Sequence, residues 1–389
     1  MTETEKTASD VVIVGAARTP FGKLLGGLSA EPATELGALA IRGALAGANV
    51  AGDAVDAVIL GQVLQAGAKQ NPAKQAALAA GIHPAAHTSS VNKVCLSGLT
   101  AVIDAARLLR SGEADVVVAG GMESMSNAPH LLPRSRRGVK YGSFEVLDHV
   151  EHDGLSDAGL GISMGQLTER YADVFPATRE EQDAVAALSH QRALAATRDG
   201  VFAAELVEAP ISTDEGIREG VTEESLAKLR PVFADNGGIT AGNSSPLTDG
   251  AAAVVLTTRA HAESNGWAVL ATLRAPGQIA GPDASLQAQP ANALQVALER
   301  QGWDVGSLDH IEINEAFASV VVHSARQLGV DSGTVNPHGG AIALGHPIGA
   351  SGARLVVHAA HRLAAGAATR AGVALCGGGG QGEALLLDA

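Results

Sequence analysis

Ser97-Gly98-Leu99-Thr100-Ala101-Val102-Ile103-Asp104-Ala105-Ala106-Arg107-Leu108-Leu109-Arg110 and Ser351-Gly352-Ala353-Arg354-Leu355-Val356-Val357-His358-Ala359-Ala360-His361-Arg362-Leu363-Ala364 read as two copies of one element. Ser-Gly opens both, Val102 falls on Val356, Ala105-Ala106 on Ala359-Ala360, Leu109 on Leu363 and Gly112 on Gly366. The spacing predicts a helix in each, with Leu99, Val102, Ile103, Ala106 and Leu109 on the buried face of the first. An apolar run ending in glycines then follows in both places, Val116-Val117-Val118-Ala119-Gly120-Gly121 and Val373-Ala374-Leu375-Cys376-Gly377-Gly378. Asp249-Gly250 before one later strand is echoed by Gln381-Gly382 before another. An alanine-rich chain gives single matches by composition alone. The repeated order of helix, strand and glycine turn predicts two duplicated halves.

Outward from this repeat, short β-branched runs alternate with alanine-rich amphipathic segments, the pattern of an α/β protein. Strands are expected at residues 11–14, 58–60, 116–118, 252–256, 269–273, 311–313, 373–375 and 383–387. The N-terminal half is placed at residues 1–265 and the C-terminal half at 266–389. A charged insert of the first half, about 122–242, is broken by Pro129, Pro133, Pro176, Pro210 and Pro231 and is expected to form a lobe over the joint. Within it, residues 133–140 (Pro-Arg-Ser-Arg-Arg-Gly-Val-Lys) are basic. A solvated loop is the favoured reading; a subunit contact or phosphate-approach loop is the alternative.

A chain of 389 residues, 46% hydrophobic and 17% charged, is long enough for more than one core. With only 3% aromatic residues, its layers must pack by small and branched side chains. The net charge of −14 opposes general binding to nucleic acid or an anionic membrane. No apolar run approaches a membrane span, and the polar stretch Met1 to Asp10 lacks the apolar core of a secretory leader. Cytoplasm is therefore the expected location. Two cysteines in so long a chain fit a reducing compartment, which makes a disulfide the minority reading.

Those cysteines carry the chemistry. Cys95 lies in Val91-Asn92-Lys93-Val94-Cys95-Leu96-Ser97-Gly98, just ahead of the first predicted helix, and Cys376 opens a run of four glycines. Backbone amides at a helix start lower a thiol's pKa, so Cys95 is expected to be a thiolate nucleophile whose loop also receives an oxyanion. Both sulfurs are read as presented by tight backbone, although for Cys376 a buried apolar role remains open. Of thirteen histidines, His346, between Gly345 and Pro347, is the candidate base. His83, His152, His190, His261, His358 and His361 are read as surface or satisfied core residues, and His338 is ambiguous. Asn314-Glu315-Ala316-Phe317 follows a predicted strand, where α/β folds handle ligands.

The segment around Cys95, Asn314-Glu315-Ala316-Phe317-Ala318, the string from Gly339 to Pro347 and Cys376-Gly377-Gly378-Gly379-Gly380-Gln381-Gly382 resemble, in order, the four signature blocks of the thiolase family. Ala16-Ala17-Arg18-Thr19-Pro20-Phe21-Gly22 and Gln70-Asn71-Pro72-Ala73 extend the likeness over essentially the whole chain. The resemblance implies a five-layered α/β/α/β/α fold of two similar halves with an inserted CoA-binding loop domain, assembled as a dimer or a dimer of dimers. It implies Cys95 as acyl acceptor, Cys376 as the second thiol that moves a proton, and His346 and an Asn314-held water at one oxyanion hole. The amides of Cys95 and Gly378 are the implied second hole.

Leu155, Met164 and Ser245 are implied to line the pantetheine arm and Arg218 to approach the nucleotide end of coenzyme A, with Ala316 and Phe317 also among the substrate- and CoA-binding residues. No metal and no cofactor beyond the CoA thioester substrates is implied. The implied reaction is acetyl-CoA C-acetyltransfer, as in the bacterial branch of the family. The alternative is degradative 3-ketoacyl-CoA thiolysis of longer chains in fatty-acid β-oxidation. Ser163 stands where His is common, His338 where Asn is common and Lys74 where Arg is common. A carrier-dependent ketoacyl synthase would use one Cys and two His, and the second cysteine argues against it. All four of Cys95, Asn314, His346 and Cys376 are present, which argues against a non-catalytic binder.

Overall fold

The computed structural model describes residues 7–389, so the first six residues of the polar stretch Met1 to Asp10 lie outside the described residues. Twelve strands occur among them: β1 (Val11–Arg18), β2 (Gly22–Lys23), β3 (Ala57–Gly61), β4 (His87–Val91), β5 (Val116–Ser124), β6 (His130–Leu131), β7 (Leu147–Asp148), β8 (Thr248–Thr258), β9 (Ala271–Ala280), β10 (His310–Ile313), β11 (Arg370–Gly377) and β12 (Gln381–Asp388). All but the β6–β7 ribbon join one sheet, in the order β10-β11-β12-β9-β1-β8-β5-β3-β4, with β2 added to β8.

The duplication is visible in the strand senses. In one half β3 and β5 are parallel while β8 is antiparallel to both β5 and β1. In the other, β10 and β11 are parallel while β12 is antiparallel to both β11 and β9. β4 extends the first half as a parallel edge strand. Its counterpart in the second half is reduced to a single parallel bridge between Ile311 and Val335. The halves meet through Val12↔Thr272 and Ile13↔Ala271, where β1 touches β9.

Strand periodicity divides the side chains into layers. Val11, Ile13, Val117, Val254, Leu256, Val373, Leu375 and Leu387 face the two repeat helices, Ser97–Ser111 and Ser351–Ala364. Val12, Val14, Val116, Val118 and Val255 face the outer helices Ala33–Ala48 and Pro72–Ala79. Ala374, Cys376, Ala384 and Leu386 face Gln289–Gln301 and Ala318–Leu328. The result is the five-layered α/β/α/β/α arrangement. Strands buried on both faces explain the near-continuous apolar runs of the sequence. The repeat helices cross at their opening glycines. A Cβ on Gly98 would sit 2.9 Å from the Gly349 carbonyl oxygen, and one on Gly352 would sit 2.6 Å from the Leu99 nitrogen.

Most of the strands run beyond the expected ranges, for example Val11–Arg18, Val116–Ser124 and Thr248–Thr258. β9 begins at Ala271, so Val269 and Leu270 precede it. The chain leaves the sheet after Ser124 and returns at Thr248, carrying the helices Met164–Arg170, Arg179–Arg198 and Glu223–Ala227 between. β4 was not expected: His87-Thr88-Ser89-Ser90-Val91 lies half open at the sheet edge and needs no apolar alternation. Among the described residues, no helix is long and apolar enough to cross a membrane.

Candidate active site

Cys95 sits in the short connection between β4 and the first repeat helix. Val94, just before it, holds a positive φ of 52°, a conformation a β-branched residue adopts only under constraint. The constraint is Ser97, whose Oγ accepts from the Lys93 amide at 2.8 Å and donates to the Val94 carbonyl at 2.6 Å. Lys93 turns its ammonium away from the thiol, onto Glu383 at 2.6 Å.

The second repeat helix does the same work for the imidazole. Its opening serine, Ser351, donates to the Pro347 carbonyl at 2.9 Å and lies 2.5 Å from His346 Nδ1. With the one hydroxyl hydrogen placed on Pro347, Nδ1–H is the donor to Ser351 and Nε2 keeps its lone pair. Asn314 Nδ2 points at that nitrogen from 3.5 Å. Thr248 fixes the loop further by accepting from the His346 amide at 3.0 Å. Burial, with Arg354 adding to it, pushes the imidazole down to about 4, so His346 is neutral at pH 7.

Cys376 lies one residue before the end of β11 and is 1% exposed, in the same buried cluster as Ala374, Ala384 and Leu386, whereas Cys95 is partly exposed. Cys376 is therefore both a core side chain and a cavity-lining one, and the reading of it as lifted clear of the core by its glycines is corrected. The expected lowering of the Cys95 pKa is also corrected. Burial pushes this thiol up to about 12, with Glu123 adding to it, while the amides of Cys95 and Gly378 pull the other way. Burial raises Cys376 above the ordinary thiol range too, with the charge of Cys95 adding to it. Desolvation outweighs the helix terminus, so both sulfurs rest as thiols.

Both sulfurs, His346 and Gly378 line one cavity of ≈ 520 Å³. Its walls are largely apolar, with Leu155, Met164, Phe233, Leu286, Phe317 and Ile348 among them, and Ser163, Ser244 and Ser245 add hydroxyls. Of the residues read from sequence, Leu155, Met164, Ser245, Ala316 and Phe317 lie on this wall. Asn314 stands behind His346, fully buried, and its Oδ1 has no hydrogen-bond partner within the protein. Arg218 does not line the cavity; its guanidinium lies 3.1 Å from His190 Nε2. His338 lies 3.0 Å from His358 instead.

Two residues with clear roles were not anticipated. Ser351 stood out in the sequence only as the repeat partner of Ser97. Glu123, fully buried, accepts from the amides of Val63 and Gly349 at 3.0 Å each and from Leu64 at 3.1 Å, clamping the loop after β3 to the loop that carries His346. Burial pushes its carboxyl up to about 7. A carboxylate at the end of the apolar strand β5 was the one signal available for it.

Two thiols, an imidazole and the amides of Cys95 and Gly378 that face the first sulfur thus meet at one cavity. Residues 11–260 match the family model described as "Thiolase, N-terminal domain" and residues 267–389 match "Thiolase, C-terminal domain". The chain belongs to the thiolase family. It is 54% identical to a "Probable acetyl-CoA acetyltransferase" of Mycolicibacterium smegmatis, over 97% of this chain and 100% of that protein. It is 52% identical to one of the same name from Mycobacterium tuberculosis, over 97% and 99%. It is 46% identical to the "Acetyl-CoA acetyltransferase" of Pseudomonas aeruginosa, over the same shares.

Proposed function

We propose that this protein is an acetyl-CoA C-acetyltransferase that joins two acetyl-CoA molecules reversibly to acetoacetyl-CoA and CoA. The observation that carries the reading is the meeting of Cys95, Cys376 and His346 at one end of a single apolar cavity. His346 Nε2 takes the Cys95 proton as the sulfur attacks the thioester, and the departing CoA thiolate takes the proton of Cys376, leaving the imidazole protonated. The amides of Cys95 and Gly378 meet the oxyanion, and an acetyl group remains on Cys95. Cys376, left as a thiolate by that transfer, removes a methyl proton from the second acetyl-CoA. The enolate oxygen is held by the protonated His346 Nε2 and an Asn314-bound water while its carbon attacks acetyl-Cys95, and the released Cys95 sulfur takes that proton back. The thioester α-proton is so weakly acidic that oriented donors matter more than base strength, each worth on the order of a hundredfold or more.

Leu155, Met164 and Ser245 hold the pantetheine arm, and Ala316 and Phe317 bound the acyl end. CoA thioesters are substrates, and the reaction draws on no other cofactor. A cytoplasmic location is supported by the two free thiols. A homo-oligomer is supported by the exposed apolar side chains of Leu132, Val139, Tyr141, Phe144 and Val146 on one loop. The testing experiment follows loss of enolate absorbance from acetoacetyl-CoA plus CoA. Rates across a ladder of 3-ketoacyl-CoA lengths are expected to be highest with acetoacetyl-CoA. Faster turnover of longer chains overturns the acetyl-specific assignment.

A further inference from the structure

We propose that His310, Glu312 and His358, with His338 beside them, form a binding site for a divalent transition ion of the zinc class, separate from the reacting thiols. The site arises from two polar rows facing each other across an otherwise apolar layer. His310, Glu312 and Asn314 alternate on one face of β10 and just beyond it, while Ile311 and Ile313 face the outer helices. Opposite, Ser351, Arg354 and His358 follow one another at helical spacing on Ser351–Ala364. At the cavity end these rows hold His346; at the other end they bring three imidazoles and a carboxylate together.

Ligand atoms of His310, Glu312 and His358 all lie within 4.8 Å of one another. The three residues are 4%, 0% and 1% exposed. His310 Nε2 and Glu312 Oε1 stand 3.3 Å apart, yet neither has a hydrogen-bond partner. A cation seated between these two atoms would engage both. His358 Nε2 and His338 Nδ1 lie 3.0 Å apart. Neighbouring ligands around tetrahedral zinc are separated by about 3.4 Å, given bonds of about 2.1 Å, so each of these two pairs taken alone is close to the needed spacing.

The surrounding shell also fits. His358 Nδ1 lies 2.8 Å from Glu205 Oε2, the carboxylate-to-histidine contact that leaves Nε2 bare and orients it toward an ion. Arg354 occupies the other Glu312 oxygen at 2.9 Å, leaving Oε1 free. Arg18 binds Glu205 at 2.7 Å and Asp214 at 2.7 Å. Three imidazoles and a carboxylate favour zinc over magnesium or calcium. Bound there, the ion braces β10 against the helix that presents Ser351, a positioning role for Asn314 and His346.

The test uses the full chain, stripped with a chelator and kept reduced, then titrated with Co²⁺. The expected result is one Co²⁺ per chain, with intense four-coordinate visible bands, no thiolate-to-cobalt absorption, and displacement by Zn²⁺. His310→Gln is expected to weaken binding about a hundredfold, and His338→Asn, at a half-open position, gives a second variant should the first fold poorly. Zn²⁺ is expected to raise the melting temperature of the parent chain and to leave that of His310→Gln unmoved. Failure to bind stoichiometrically, a weak six-coordinate spectrum, or thiolate bands that vanish in Cys95→Ala or Cys376→Ala each overturns the proposal.

Discussion

Ser351 decides what His346 can do. With its single hydrogen committed to Pro347, it can only accept from Nδ1, and the imidazole is held as the tautomer whose Nε2 takes a proton. Ser351→Ala frees the ring to turn or exchange tautomers, and kcat/KM is expected to fall by about tenfold to a hundredfold, part of what a general base supplies. Ser351→Thr keeps the hydroxyl and is expected to restore most of it, which separates positioning from packing. The low pKa of His346 has a sign that can be checked. The folded value of about 4 lies below the ordinary 6.5, so the fold favours the neutral ring. That preference, worth about 3 kcal/mol, is fully present above pH 6.5 and is lost as pH falls from there toward 4. The acid limb of kcat/KM is expected near 4, and a limb near 6.5 contradicts the burial argument.

At the scale of elements, the crossing of the repeat helices fixes how far apart the two catalytic loops stand. A side chain on Gly352 meets the backbone nitrogen of Leu99, which cannot move aside without shifting the helix that follows Cys95. Gly352→Val is expected to destabilise the fold by about 3 kcal/mol or more, read as a lower urea midpoint. Gly47, where an added Cβ would meet nothing within 4 Å, serves as the control, and Gly47→Ala is expected to leave the midpoint nearly unchanged or raised. These helices were legible in the sequence almost to the residue, because their apolar spacing and opening Ser-Gly pair survive in both copies. β4 was not, because an edge strand can be polar. Nor was the state of the thiols: the sequence reveals a helix start beside Cys95, while the burial that reverses its effect comes from segments distant in the chain.

Across the whole molecule, duplication explains why the site lies where it does. Each half contributes one cysteine and one Ser-Gly helix start, and the serines hold a nucleophile loop in one half and an imidazole loop in the other. Of the residues singled out in the signature blocks, Cys95, His346, Cys376, Gly378, Ala316 and Phe317 do come to one cavity. Glu123 and the histidines near His358 were not readable in the sequence, since their partners come from four or more separate stretches. The loop from Leu132 to Val146 leaves Tyr141 98% and Phe144 58% exposed on a chain of net charge −14. Light scattering is expected to give a multiple of the 39.1 kDa chain mass, reduced in Tyr141→Asp/Phe144→Asp with the fold intact. A monomeric parent chain contradicts the subunit-contact reading.

The central claim is that Cys95 and Cys376 divide one reaction between them. Intact-mass and peptide analysis after mixing with isotopically labelled acetyl-CoA tests it directly. In Cys376→Ala, Cys95 is expected to carry the label while acetoacetyl-CoA formation falls by a hundredfold or more, on the order of a lost catalytic group. Label on another residue, or condensation at the parent rate without Cys376, contradicts the account.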